Sequence, residues 1–197
     1  MNNMQNSTQS NIPPCKFVLK DILKERNKDI PNSQDLGDGN KVKIFKCKAS
    51  RCGLKNQFVA KDKCISTCTK RIYNCITPPG TVYVDCHTSN VIYMLTCSSC
   101  GLQYIGETAQ QLNARFTGHR SGIRNPEKYG TCKILSNHFN KGVCKGSDYT
   151  VQILEKLSGT GRTERNAIDA SMTSFRKKRE DYWIKLIRTA YPYGMND

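Results

Sequence analysis

Residues 90–108, NVIYMLTCSSCGLQYIGET, decide the fold predicted for this chain. Two apolar segments, each with a tyrosine, lie on either side of a short gap, which is typical of two strands joined as a hairpin. Cys97 and Cys100 stand in that gap with the CxxC spacing of metal ligands, where a hairpin needs only a turn. The stretch could therefore be a zinc knuckle, a catalytic hairpin, or both.

The residues after this hairpin predict a small mixed α/β domain. Apolar spacing indicates a helix over residues 109–123 and a short helix over residues 132–140. Alternation predicts a strand over residues 148–157, and a long helix is expected over residues 163–190. The order strand, strand, helix, helix, strand, helix indicates an α/β (α+β) domain over residues 90–197.

Two further segments precede that domain. Residues 1–46 are expected to form an N-terminal tail with a short helix, and residues 47–89 a cysteine-rich module. Short strands are expected within the module at residues 57–60 and 81–85. The module is otherwise polar and has few core residues, so a bound zinc ion would help it to stay folded.

The composition indicates a polyanionic partner. The 31 Lys and Arg residues outnumber the 16 Asp and Glu residues and leave a net charge of +15, which favours nucleic acid over an anionic membrane surface. No apolar run approaches the ~18 residues of a membrane span and no export signal is recognised, so we expect an intracellular protein. The 11 cysteines are then expected to be metal ligands or buried thiols rather than disulfides. A redox or metal-storage role would account for the cysteines but not for the charge.

Four side chains around the hairpin could carry chemistry. Tyr93 and Tyr104 lie on the two strands and can converge on one face of the sheet. Arg115 and His119 are four residues apart and share a face of the following helix. A guanidinium there could hold a phosphate, and the imidazole could assist a tyrosine whose ordinary pKa of ~10 makes it a poor base. The alternative is that all four are ordinary strand and helix residues.

The pattern VIY, ten residues, YIG, then Arg and, four residues on, His resembles the GIY-YIG nuclease domain, with Val91 in place of the first glycine. The resemblance is closest to the endonuclease domain of Penelope-like retroelements, through CHTSNVIYMLTCSSCGLQYIGET, HFNKGVC and REDYWIKLIRTAYPYGMN. It covers residues 86–197, and the cysteine-rich lead-in from Cys47 resembles the segment that joins this nuclease to a reverse transcriptase. The resemblance implies a central three-stranded antiparallel sheet flanked by helices.

The activity implied by this resemblance is divalent-metal-dependent hydrolysis of DNA phosphodiester bonds, as in retroelement integration. Tyr93, assisted by His119, would deprotonate water, and Tyr104 would position that water or share the role. Arg115 would neutralise the scissile phosphate. The alternative function is a non-catalytic, zinc-stabilised module that binds nucleic acid.

Two residues near the end of the chain match further parts of the family motif. Glu180 would bind the catalytic Mg²⁺ or Mn²⁺ through its carboxylate. Asn196 would orient the phosphate or a metal-bound water. The implied partners are DNA and, in a retroelement, a reverse transcriptase domain or the element RNA, with a homodimer for double-strand cleavage and a nuclear location in a eukaryote.

Zinc is the second implied cofactor. In the resembling retroelement proteins two histidines close the hairpin site, and here His138 and Cys144 take those positions beside Cys97 and Cys100. The upstream cysteines could supply a second zinc site, for which the sequence suggests Cys47, Cys52, Cys64 and Cys68 and leaves Cys75, Cys86 and His87 as further candidates.

Basic side chains cluster along the sequence around the expected active site. They would contact phosphates without reading bases, although a charge run is often only a solvated face. The candidates are Arg120, Arg124, Lys128, Lys133, Arg176, Lys177, Lys178 and Arg179.

Overall fold

A computed structural model of the 197-residue chain describes residues 43–81, 83–128, 133–140, 144, 148–158 and 170–197. The N-terminal tail and helix expected before residue 43, and the first part of the helix expected from residue 163, lie outside the described residues. The elements in chain order are β1 (Lys63–Ile65), β2 (Ile72–Asn74), β3 (Val91–Cys97), β4 (Gln103–Thr108), α1 (Leu112–Arg124), α2 (Lys133–Asn140), β5 (Tyr149–Lys156) and α3 (Ala170–Ile187). Among these helices, none has the length and apolar character needed to span a bilayer.

The centre of the molecule is a three-stranded antiparallel sheet with the order β4-β3-β5. Tyr93 pairs with Gly106 on one side and with Ile153 on the other. A register shift between Ile92 and Tyr93 marks an irregularity in the pairing with β5. The predicted mixed α+β fold with a three-stranded antiparallel sheet and three helices is therefore confirmed.

Strand alternation divides the core into two layers. Tyr93 and Leu95 of β3 point to one face, where they join a cluster with Phe116 of α1. The intervening Ile92 and Met94 point to the other face, where their cluster contains Trp183 and Ile187 of α3. The period of two in β3 thus places α1 and α3 on opposite faces of the sheet.

The cysteine-rich segment covers the outer edge of β5. Val59 N donates to Val151 O over 2.7 Å, and Ile76 N donates to Leu154 O over 2.8 Å. Leu54 and Phe58 are buried in the same cluster as Tyr93. The segment expected over residues 47–89 therefore shares a core with the domain that follows it, and it satisfies backbone groups that an open sheet edge would leave unpaired.

The strands expected at residues 57–60 and 81–85 were wrong. In the described residues of those ranges, Phe58 and Val84 form only isolated bridges, and the hairpin lies instead at β1 and β2. Its side chains hold the end of α3, since Ser66 Oγ donates to Ile187 O over 2.7 Å and Tyr73 Oη to Leu186 O over 3.1 Å. These bonds satisfy carbonyls that a helix C-terminus leaves without partners.

Candidate functional site

The hydroxyl of Tyr93 lies 2.7 Å from Nε2 of His119. Tyr93 is fully buried on β3, and His119 is 3% exposed on the inward face of α1. Phe116, three residues earlier on the same helix face, contacts both rings edge-on with centroid distances of 5.2 and 5.1 Å. The i, i+3 spacing on α1 and the alternation of β3 bring these rings together, as the sequence predicted for the tyrosine and the histidine.

Burial controls the protonation of this pair. It lowers the pKa of His119 to about 3, and the nearby Arg115 guanidinium adds to the effect. His119 is therefore neutral at neutral pH, and Nε2 can accept a proton when Nδ1 carries the ring hydrogen. Arg115 Nε also donates to Tyr93 Oη over 3.5 Å, so a positive charge lies beside the phenol oxygen.

Tyr104 and Gly106 of β4 lie next to the Tyr93 and His119 pair. The Tyr104 ring centroid is 6.4 Å from those of Tyr93 and of His119. Gly106 faces Tyr93 across the strand pair, where a Cβ atom would come within 2.6 Å of Tyr93 Cζ and 3.0 Å of Tyr104 Cε1. Only glycine fits between the two tyrosines. We did not single out Gly106 from the sequence, although a glycine opposite a tyrosine in a hairpin register is a readable signal.

Glu180 lies on α3 beside the next residue of β4, Glu107. Burial, and then repulsion from the Glu107 carboxylate, raise the pKa of Glu180 to about 7, while a hydrogen bond from the Glu107 backbone amide acts in the opposite direction. The Glu107 side chain accepts from Arg176 Nε over 2.8 Å. Glu107 and Arg176 therefore set the environment of Glu180, and the sequence had not assigned Glu107 a role.

Asn196 lies at the outer edge of β4. Its Oδ1 accepts from Ile105 N over 2.9 Å, and its Nδ2 donates to Ile105 O over 2.8 Å. The backbone of the last residues continues this edge, since Met195 N donates to Gln103 O over 2.8 Å. The side chain expected to orient a phosphate thus takes the place of a neighbouring strand.

Cys97, Cys100, His138 and Cys144, here called the hairpin cluster, have ligand atoms that all lie within 4.8 Å of one another. Cys100 Sγ is 3.6 Å from His138 Nε2. In a tetrahedral zinc site a sulfur and a nitrogen ligand are about 3.6 Å apart. Hydrogen bonding to Cys100 and His138 lowers the pKa of Cys97 to about 3, which favours the thiolate that a metal requires. The structure brings all four expected ligands together.

A second group, here called the upstream cluster, consists of Cys47, Cys52, Cys86 and His87 within the same 4.8 Å limit. The suggestion of Cys64 and Cys68 was wrong for this group. Cys64 on β1 points into the core beneath α3, where burial raises the pKa of its thiol to about 12. Each of the two clusters could hold a structural metal such as zinc.

Comparison with known proteins gives no family for this chain. No family model matches it, and no curated protein or solved structure does so either. Its function is therefore inferred from the geometry of the site and from the resemblance of its motifs.

The RKKR run on α3 divides between the interior and the surface. Arg176 is buried and paired with Glu107, and Arg179 Nη2 lies 2.8 Å from Glu155. Only Lys177 and Lys178 of the run are exposed. The two arginines expected to contact phosphates instead hold α3 against the sheet, because their helix positions face inward.

The remaining basic candidates lie on α1 or just after it. Arg120 donates to the backbone carbonyl of Gly53 and, over 3.2 Å, to Thr117 Oγ1. Exposed charge on this side comes from Arg124, Lys128 and Lys133.

Proposed function

We propose that this chain is a divalent-metal-dependent DNA endonuclease of the GIY-YIG type, of the kind found in Penelope-like retroelements. The observation that carries the proposal is the 2.7 Å contact between Tyr93 Oη and His119 Nε2. The adjacent Arg115 guanidinium supports it further, because a buried structural tyrosine needs a hydrogen-bond partner but not a cation beside its hydroxyl.

The proton path of the reaction follows from this contact. His119 Nε2 receives the phenolic proton of Tyr93 as Tyr93 takes a proton from water. The bound anionic phosphate offsets the burial and the Arg115 charge that lower the pKa of His119 in the free chain. The hydroxide formed in this step attacks the scissile phosphorus as the bond to the leaving oxygen breaks. The leaving oxygen takes a proton from solvent, and His119 returns its proton to solvent. Arg115 stabilises the added negative charge on the phosphate oxygens, and Tyr104 orients the water from β4.

A divalent metal could be held by Glu180, which lies on α3 beside Glu107 of β4. The donor is a half-buried carboxylate whose pKa is raised by burial and by Glu107, so a cation there would relieve unfavourable negative charge. Mg²⁺ prefers oxygen ligands and keeps several of its waters, which suits a site with one carboxylate. When bound, the metal would supply electrostatic stabilisation of the phosphate. Asn196 acts as a positioning residue that fixes the edge of β4, which carries Tyr104.

The second candidate function is a non-catalytic, zinc-stabilised module that binds nucleic acid. It is favoured by the net charge of +15 together with the two Cys/His clusters, neither of which requires catalysis. A reverse transcriptase domain or element RNA as partner, a homodimer that cuts both strands, and a nuclear location are further parts of the retroelement proposal.

The deciding experiment compares cleavage of supercoiled plasmid in Mg²⁺ by the wild type, Tyr93→Phe and Glu180→Gln. We expect each variant to nick the plasmid at least about 100-fold more slowly than the wild type. Tyr93→Phe lacks the phenolic proton relay, and Glu180→Gln lacks the carboxylate for the metal. Tyr191→Phe, which changes an exposed tyrosine, is the matched control and should cut at the wild-type rate.

Binding separates the two functions. Tyr93→Phe should retain wild-type affinity for DNA, measured by fluorescence anisotropy without divalent metal. If the wild type binds DNA but leaves it intact with Mg²⁺ and with Mn²⁺, the binding module is the function. If Tyr93→Phe cuts as fast as the wild type, the assignment of the base is wrong.

A further inference from the structure

The contacts around the upstream cluster join it to helix α1. We propose that this cluster binds one zinc ion and that the ion fixes the position of α1, the helix that carries Arg115 and His119. The consequence for cleavage rests on the proposed function, whereas the metal site and its effect on the helix do not.

The spacing of the ligand atoms fits a tetrahedral zinc site. Cys52 Sγ and Cys86 Sγ are 3.6 Å apart, and Cys86 Sγ is 3.6 Å from Nδ1 of His87. Tetrahedral zinc places two sulfur ligands about 3.8 Å apart, and a sulfur and a nitrogen about 3.6 Å apart. A disulfide would require about 2.05 Å between the sulfurs. These two distances match a Cys₃His site and exclude a disulfide between Cys52 and Cys86, and the other ligand atoms of the group lie within 4.8 Å of one another.

Two separate segments supply these ligands. Cys47 and Cys52 come from the start of the described chain, and Cys86 and His87 follow more than thirty residues later, since Cys52 and Cys86 are 34 positions apart. The second segment is a turn held by its own side chains: His87 N donates to Asp85 Oδ1 over 2.8 Å, and Asp85 N to Thr88 Oγ1 over 2.9 Å. Such bonds preform the turn, so a metal would have to order mainly the first segment.

The later segment holds the first turn of α1. Asn113 N donates to Cys86 O over 2.8 Å, and Leu112 N donates to Thr88 O over 3.1 Å. The first amides of a helix have no partners within the helix, so these two carbonyls complete its N-terminus. A metal ligand thus bonds directly to the helix through its own backbone.

The earlier segment holds the same helix further along. Gly53, next to the ligand Cys52, accepts a hydrogen bond from Arg120 at its backbone oxygen. A Cβ atom at residue 53 would come within 2.8 Å of Arg120 Cζ, so a larger residue would displace the guanidinium from this contact. Contacts at residues 112–113 and at residue 120 flank Arg115 and His119, and a zinc ion would join the segments that make them.

The first test is the zinc content of the full chain. The wild type should hold two zinc ions per chain by elemental analysis, and Cys52→Ser should hold one. Cys68→Ser, which alters a half-buried cysteine outside both clusters, is the matched control and should keep two. A Cys52→Ser chain that holds as much zinc as the wild type would overturn the site.

The second test measures hydrogen exchange of the helix. The first turn of α1 bonds to Cys86 and Thr88 and not to Cys52, so an effect of Cys52→Ser there would be carried by the metal or by the contact between Cys52 and Cys86. In Cys52→Ser we expect the amides of Leu112 and Asn113 to exchange roughly 10-fold faster or more, while those of α3 keep their wild-type rates. Unchanged exchange at both amides after loss of the zinc would overturn the positioning role.

If Cys52→Ser does not fold, a milder variant can be used to test the same role of the zinc. Cys52→His keeps a zinc ligand but weakens the site, so a chelator should remove one zinc at concentrations that leave the other bound. Exchange at Leu112 and Asn113 should then accelerate as that zinc leaves and recover when zinc is restored. If the rates are the same with and without this zinc, the helix does not depend on it.

Discussion

At the scale of single residues, the rings of the site leave no room at Gly106. A methyl group there would displace the Tyr93 ring, which has to stay within hydrogen-bonding distance of His119. We therefore expect Gly106→Ala to reduce the plasmid nicking rate about 100-fold or more, because small displacements of a catalytic group are costly. Single-turnover nicking assays would measure the change.

Gly118 provides the control for that substitution. It lies exposed on α1, and a Cβ atom there would meet no heavy atom within 4 Å. Gly118→Ala should leave the nicking rate unchanged and raise the free energy of unfolding by about 0.5–1 kcal/mol, because alanine favours the helix. Equal nicking rates for Gly106→Ala and Gly118→Ala would show that the space at Gly106 is not needed to position Tyr93.

Glu180 should make both stability and cleavage depend on pH. Its pKa of about 7 is above the ordinary value of 4.5, so the folded chain binds this proton more tightly than the unfolded chain. That contribution to stability is fully present below pH 4.5 and is lost as the pH rises through 7. Without divalent metal, Glu180→Gln should therefore exceed the wild type in unfolding free energy at pH 8 and differ little at pH 4.5.

Urea unfolding at the two pH values would test this, with the exposed Glu127→Gln as the control. Nicking by the wild type should increase as the pH rises through about 7, since metal binding requires the carboxylate. A stability difference between wild type and Glu180→Gln that does not change with pH would show that the carboxyl keeps its ordinary pKa.

At the scale of elements, β4 is an edge strand that depends on Asn196. The amide of this side chain makes both a donated and an accepted hydrogen bond with the Ile105 backbone. Asn196→Ala should lower the free energy of unfolding by about 2 kcal/mol, because two buried backbone groups lose their partner. The neighbouring exposed Asp197→Ala should have no measurable effect in the same urea titration. Equal unfolding curves for the two variants would show that the Asn196 side chain does not stabilise the edge of β4.

Elements with a strong local period were predictable from the sequence. The apolar run of β3, the alternation of β5 and the apolar face of α1 are properties of adjacent residues, and the structure places those elements where the sequence predicted them. β1 and β2 have only three residues each and were missed, since Ile65 and Ile72 are exposed and their pairing depends on packing beneath α3.

The inward and outward residues of the RKKR run on α3 could have been separated from the sequence, although all four were expected to contact phosphates. Residues 179 and 180 lie three and four positions after residue 176, and residue 183 lies four and three positions after them, so all four share one face of the helix. Arg179 and Trp183 both donate to Glu155 on β5, and Arg176 pairs with Glu107 on β4. Helical spacing alone separates these inward residues from Lys177 and Lys178, whereas composition alone does not.

At the scale of the whole molecule, the upstream cluster could not be derived from spacing. Its two halves are brought together by the docking of α1 and by the bonds that join the cysteine-rich segment to β5. Cys64 and Cys68 are closer to Cys52 in sequence than Cys86 and His87 are, but Cys64 is a core residue. The hairpin cluster was predictable because its CxxC pair is local and the motif resemblance supplied the two distant ligands.

The net charge of +15 makes strongly salt-dependent binding the expected behaviour of the whole chain. Each lysine that contacts a phosphate of duplex DNA contributes about 0.9 to the slope of log K against log salt. Replacement of the exposed Lys177 and Lys178 by glutamine should therefore reduce that slope by about 2 and leave the unfolding free energy unchanged.

Arg176→Gln is the informative contrast within the same run. This buried side chain pairs with Glu107, so its loss should destabilise the fold by about 3 kcal/mol and leave the salt slope as in the wild type. Anisotropy titrations between low and physiological salt, together with urea unfolding, would measure both quantities. If the lysine pair alters stability and not the slope, DNA does not approach this face of α3, and the phosphate contacts must lie on the side of Arg124 and Lys133.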